Sequence, residues 1–354
     1  MKRLIFIDTS EFKGANFNYS GPRLSTVSDR VAADHIEVGM PNLTKEEIIA
    51  GLDEATRKSK RAIANTRKEA RVLKNLDNEL SSALFAPFDR EDIKGKLVSK
   101  LENYMAQIHV RELDYDGSDP GKIFELYFSQ QAPFGEGKKK SEFPDAFALS
   151  ILSEWGLSEE KTVLIASSDG DFKNGAKHFL NVEYVGNLQE LLERIAYEFD
   201  ELPTVAKTAC KTLTNDIEQN VSEDFLNLGF VLNDQDGDVD DTRILNISLE
   251  THLLHVRALN EEETEAMFDL VATIDYEVDL SYGDQNTAIY DSEEGKLIYM
   301  ETAYETVQQI DILQGELTIT INTQDREVLE FSVDLYQKSD ISVSSSEVDD
   351  WPYK

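Results

Sequence analysis

The chain has little of what many catalytic and binding sites are built from. Its 354 residues include one cysteine, Cys210, and five histidines. A single cysteine excludes an internal disulfide and fits a reducing compartment, so the expected location is the cytoplasm. His252 and His255 have no thiol beside them, which argues against a zinc site. No glycine-rich loop is present to cradle a phosphate. No apolar run is long enough to cross a bilayer, and no membrane partner is expected. The opening MKRLIFID loses its apolar character at Asp8, too soon for a secretory h-region, and reads as a buried strand. Basic residues are scarce too, with 35 Lys and Arg against 69 Asp and Glu and a net charge of −34.

That deficit would exclude a nucleic-acid role if it were uniform, because phosphate binding rests on Lys and Arg. It is not uniform. Residues 1–197 hold 27 basic and 32 acidic side chains, whereas residues 198–354 hold 8 and 37. Two unlike modules are therefore expected. The first alternates apolar strand signals (RLIFID, HIEVGMP, KTVLIAS, VEYVG) with helical stretches, a pattern that predicts a parallel sheet covered on both faces. The second reads as a mostly antiparallel β or α+β domain, with period-2 alternation in segments such as LVATIDYEVDLSY and GELTITINT. The expected divisions are an α/β domain over 1–197, a helical linker over 198–225, an acidic β-rich domain over 226–340, and a disordered polar tail over 341–354.

Acids stand where a core is near, and unpaired acids are costly there. Asp8 ends the first strand in FIDTS, where it also suits a helix cap. Glu47 lies in NLTKEEI, where Thr44 and Glu47 have the spacing of a capping box. Asp145 opens the helix PDAFALSILSEW, a position that the helix dipole favours by itself. Asp169 and Asp171 follow a buried strand in SSDGDF, and a turn needs only one of them. Singly, each has a structural explanation. Together, acids after two strands and at two helix starts would converge on the carboxyl edge of a parallel sheet. Such a cluster repels itself, and a hard divalent cation such as Mg²⁺ or Mn²⁺ relieves that repulsion.

In this order, IFIDTS, NLTKEEI, FPDAFALS and IASSDGDF resemble the four acidic motifs of PIN-domain nucleases, over roughly residues 1–197. The stretch KKKSEFPDA is similar to a bacterial PIN-like branch with a separate C-terminal module. The resemblance implies a Rossmann-like three-layer α/β/α fold and metal-dependent RNA hydrolysis. It implies a metal-ligand and catalytic role for Asp8, Glu47, Asp145 and Asp169, with Asp171 auxiliary. Two departures are mild: Ser10 stands where the family usually has Asn, and Ser167 where Thr is common, so both are supporting positions. The interval between Glu47 and Asp145 is longer than in small members.

Residues 57–74, RKSKRAIANTRKEARVLK, carry eight basic side chains and one acid, Glu69. This is either a solvated helix face or a phosphate-tracking surface using Arg57, Lys58, Lys60 and Arg61. Lys138, Lys139 and Lys140 precede Asp145 and are further candidates for substrate contact. Single-stranded or looped RNA is the expected substrate, because it can be splayed into a crevice. The acidic second half would repel nucleic acid. It is read as a dock for a basic protein partner, an internal brake on RNA binding, or an oligomerisation domain. The leading reading is a metal-dependent endoribonuclease, for which a role in stress or defence would suit the resemblance and a homodimer is a further expectation. The rivals are a structure-selective DNA nuclease and an inactive PIN-like scaffold.

Overall fold

The computed structural model describes residues 2–135, 142–290 and 297–345. It divides into two compact units, Met1–Phe199 and Asp200–Lys354.

In the first unit, five parallel strands run in the order β3-β2-β1-β4-β5. They are β1 (Arg3–Ile7), β2 (Ile36–Pro41), β3 (Arg111–Leu113), β4 (Val163–Ala166) and β5 (Val182–Gly186). β4 and, after its exposed first residue Arg3, β1 are apolar and buried, as a sheet covered on both faces requires. Helices α1 (Thr9–Gly14), α2 (Pro22–Ala32), α3 (Asn42–Glu69), α4 (Glu79–Phe85), α5 (Arg90–Gln107) and α6 (Pro120–Ser129) follow in chain order. The set closes with α7 (Phe143–Ser158), α8 (Gly170–Gly175) and α9 (Leu188–Phe199). Period-2 alternation divides the strands between two layers. Leu4, Phe6, Val163 and Ile165 join one core with Leu149, Leu152 and Trp155 of α7. Trp155 packs so closely on β2 that a Cβ at Gly39 would overlap its ring. Strand order reverses at β1, so the carboxyl ends of β1 and β4 form the switch-point crevice where such sheets bind ligands.

One local reading is corrected and one strand is added. α3 starts at Asn42 with Pro41 as its cap and no side-chain cap bond, so Thr44 and Glu47 form no capping box. Thr44 is instead buried inside the helix. β3 was not foreseen, since three residues with only Leu113 buried leave no periodic signal.

The second unit is an antiparallel sheet in the order β12-β11-β8-β7, with α10 (Pro203–Thr212) and α11 (Thr214–Leu226) packed against it. Its strands are β7 (Gly237–Ala258), β8 (Glu263–Gly283), β11 (Thr302–Asn322) and β12 (Val328–Leu335). β6 (Phe230–Leu232), β9 (Ile289–Tyr290) and β10 (Leu297–Tyr299) are short. The expected linker is not a linker: Ala206, Ala209, Cys210, Ile217, Val221 and Phe225 are buried, so these helices supply the unit's second layer. Disorder from residue 341 is also corrected. Ile341–Val343 forms β13 and pairs in parallel with β6, burying Ile341 and Val343. Residues 346–354 lie outside the described residues. Among the described residues no helix is long and apolar enough to cross a membrane.

Candidate active site

β1 ends at Ile7, and the next residue, Asp8, caps α1 while remaining 7% exposed. Its carboxylate oxygen Oδ2 accepts from the Ser10 amide at 3.2 Å, the Ser10 hydroxyl at 2.6 Å and the Ser167 hydroxyl at 2.9 Å. Ser167 directly follows β4, and parallel pairing of β1 with β4 brings the two strand ends together. The same serines fix the next loop. Ser10 Oγ accepts from the Ser168 amide at 3.1 Å, and Ser167 Oγ accepts from the Asp169 amide at 3.0 Å. Asp169 in turn caps α8 by accepting from the Asp171 amide at 2.8 Å. Phe172 anchors that helix by stacking on Phe6, ring centroids 5.8 Å apart. Ser10 and Ser167 thus supply the hydroxyls that hold two acids in place.

Asp145 lies in the first turn of α7, behind Pro144. Burial and the negative charges of Asp8, Glu142, Asp169 and Glu47 push its carboxyl up to about 8. The charges acting most strongly on it are all carboxylates. Glu47 is half-buried, and its carboxyl is also raised, first by burial and then by Asp8, with Lys13 opposing. It accepts a long hydrogen bond of 3.5 Å from Thr9, whereas its neighbour Glu46 is exposed. Four acids from four chain segments therefore share one electrostatic environment. Asp171, at the start of α8, is not among the charges that act most on Asp145.

Three participants gave no clear sequence signal. Glu11 is 5% exposed and accepts from the Ser168 hydroxyl and from the Leu188 amide at the start of α9. Glu142 adds to the repulsion on Asp145. Phe128 is 78% exposed and stacks on Phe124, which meets Phe143 edge-on at 6.0 Å, two residues before Asp145. The acid of SEFK and the aromatic pair at i, i+4 in IFELYF were the available clues.

The basic candidates divide. α3 carries Arg57, Lys58, Lys60 and Arg61 on its exposed second half. Arg57 pairs with Asp53 and Lys58 with Glu54 on the same helix. Lys138, Lys139 and Lys140 lie outside the described residues.

Residues 5–172 match a family model described as PIN domain, and the first unit of this chain is a PIN domain. No curated protein and no solved structure matches the chain. PIN domains are in general metal-dependent nucleases, whose acids hold a divalent ion. Among the described residues no three acids are close enough to form a ready-made ligand set. The fit is one of charge and donor type: hard carboxylate oxygens, partly buried, in mutual repulsion, with the deficit of positive charge that an ion would meet.

Proposed function

We propose that the protein is a divalent-metal-dependent endoribonuclease acting on single-stranded or looped RNA. The observation that carries this reading is the convergence of Asp8, Glu47 and Asp169 on Asp145, whose partly buried carboxyl they help raise to about 8. Asp8, Asp145 and Asp169 would hold Mg²⁺ or Mn²⁺, Glu47 would complete the set, and Asp171 would assist. When bound, the ion supplies an activated water and stabilises the leaving oxygen of a phosphodiester. The chain's own contribution is positional. Ser10 and Ser167 hold Asp8 and the Asp169 loop, and burial keeps bulk water from diluting the charges.

Two features support a single-stranded substrate. α3 is 28 residues long, about 42 Å at 1.5 Å per residue. Glu47, Glu54, Arg61 and Lys68 recur at heptad spacing, so the stripe that starts at the acids becomes basic away from them. Arg61 and Lys68 would follow the phosphates, with Arg57, Lys58 and Lys60 flanking. The exposed Phe124 and Phe128 pair offers an unpaired base a stacking surface. The acidic second unit, with 8 basic and 36 acidic residues over 200–354, would dock a basic protein partner.

The test is cleavage of single-stranded RNA and DNA with Mn²⁺, Mg²⁺ or EDTA, comparing wild type with Asp145→Asn. Metal-dependent RNA cutting that the variant loses supports the reading. Equal cutting of DNA reassigns the substrate, and no cutting at all reassigns the domain as a scaffold.

A further inference from the structure

β11 is paired along its whole length with β8 on one side, from Thr302 opposite Gly283 to Asn322 opposite Glu263. On its other side β12 covers only Gly315 to Ile321. Among the described residues no strand pairs with Thr302–Leu313 on that side. The direction of the free backbone groups follows from one bond. Gln314 accepts from the Tyr336 amide at 2.9 Å on the β12 side. Alternate residues of an antiparallel strand point their N–H and C=O to the same edge. Tyr304, Thr306, Gln308, Ile310 and Ile312 therefore direct both groups to the open side, over about 30 Å of strand at ~3.4 Å per residue.

Natural edges are usually blunted by Lys, Pro, bulges or short length. This one, TAYETVQQIDIL, has no Lys, Arg, Pro or Gly, and its pairing with β8 shows no bulge. Tyr304, Ile310 and Ile312 are 78%, 64% and 66% exposed on one face. On the opposite face the carboxylates of Glu305 and Asp311 are held in place by the hydroxyls of Tyr282 and Tyr276, at 2.8 and 2.6 Å. The edge thus presents backbone hydrogen-bonding groups, apolar side chains on one face, and two fixed negative charges six residues apart on the other.

We propose that residues 302–313 are a docking edge for an extended basic segment of a partner protein, which adds as a fifth strand to the acidic sheet. The proposal rests on the reading of the second unit as a dock for a basic partner. Main-chain hydrogen bonds would supply affinity, and side-chain complementarity would supply specificity. The partner segment has Lys or Arg opposite Glu305 and Asp311 and apolar residues opposite Ile310 and Ile312. A second copy of this chain is the disfavoured occupant, because both the edge and its domain carry the same negative charge.

The probe is a synthetic twelve-residue capped peptide with valine and isoleucine on one face and two lysines six residues apart on the other. It is titrated into the full-length protein by fluorescence anisotropy and followed by amide hydrogen exchange. Binding should slow exchange at Tyr304, Thr306, Gln308, Ile310 and Ile312. Gln308→Pro removes one outward N–H and the exposed side-chain bond of Gln308 to Asp275, leaves the backbone ladder to β8 intact, and should weaken binding about tenfold. Ile310→Lys is the second variant, and thermal melts of both should match wild type. N-methylation of the peptide's edge-facing amides should abolish binding, and Asp145→Asn in the protein should leave it unchanged, so loss of nuclease function does not bear on the result. Equal binding by the N-methylated peptide or by both edge variants would reduce the interaction to bulk charge and overturn the proposal. A dimer in sedimentation that Ile310→Lys dissolves would also overturn it, by giving the edge to a second copy.

Discussion

Ser167 and Asp8, 159 positions apart in the chain, are joined by a hydrogen bond of 2.9 Å from the hydroxyl of one to the carboxylate of the other. The bond ties the end of β4 to the end of β1, and the same hydroxyl accepts from the Asp169 amide. Ser167→Ala should lower the cleavage rate by about tenfold and cost on the order of 1 kcal/mol in stability. Ser167→Thr, which keeps the hydroxyl, should recover most of the rate. Steady-state cleavage with denaturant unfolding of each variant checks both parts.

Removing the charge at Asp145 should separate activity from stability. Asp145→Asn is expected to abolish cleavage and yet raise the melting temperature of the metal-free protein near pH 8. In a domain of this size the gain is about 2–4 °C for each kcal/mol of repulsion removed. Differential scanning calorimetry in EDTA is the measurement. An unchanged or lower melting temperature would mean that Asp145 is compensated by a cation.

The pH dependence follows with a definite sign. The folded-state carboxyl of Asp145 lies at about 8, above its ordinary value of about 4. The native state therefore holds the proton more tightly than the unfolded chain. The stability from this group is full below about pH 4 and is lost as pH rises towards 8. Metal-free protein should lose stability across that window, and saturating Mg²⁺ or Mn²⁺ should flatten the loss, since binding to the native state stabilises it. Melts at a series of pH values, with and without metal, test this.

Reversing charge on α3 should act on binding alone. Lys60→Glu with Arg61→Glu is expected to raise the dissociation constant for single-stranded RNA. It should also reduce the salt slope by ~0.7 for each lost phosphate contact. The maximal rate at saturating substrate should be unaffected. Binding isotherms at several salt concentrations measure the slope directly.

Phe128→Ala should weaken single-strand binding by about 1–3 kcal/mol, the usual worth of one stacked base. Duplex binding should not change, since its bases are already stacked. Competition between single strands and duplexes distinguishes this from a general loss of fold.

The acids at the ends of β1 and β4 were legible in the sequence because each follows an apolar run whose length and composition mark a buried strand. The ordered set of four motifs carried the PIN resemblance. What was not legible depended on contacts between distant segments. The Thr44 and Glu47 spacing resembles a capping box, but Pro41 caps α3 instead and releases Glu47 to face the other acids. Glu11, in the short helix α1, looks like any surface acid in sequence and is buried because the Ser168 loop and the start of α9 close over it. In the second unit, α10 and α11 read as a linker because their apolar residues are few, and the sheet they cover is formed by strands that follow them.

By itself the sequence determined most of the longer local elements, since hydrophobic periodicity and strand composition act over a few residues. It also determined which acids stand at strand and helix ends, and how charge is divided between the two units. Only the tertiary structure decided which of those acids meet, because parallel pairing of β1 with β4 makes neighbours of residues more than a hundred positions apart. It alone decided the elevated carboxyl of Asp145, since desolvation and repulsion depend on packing and distance rather than on order in the chain.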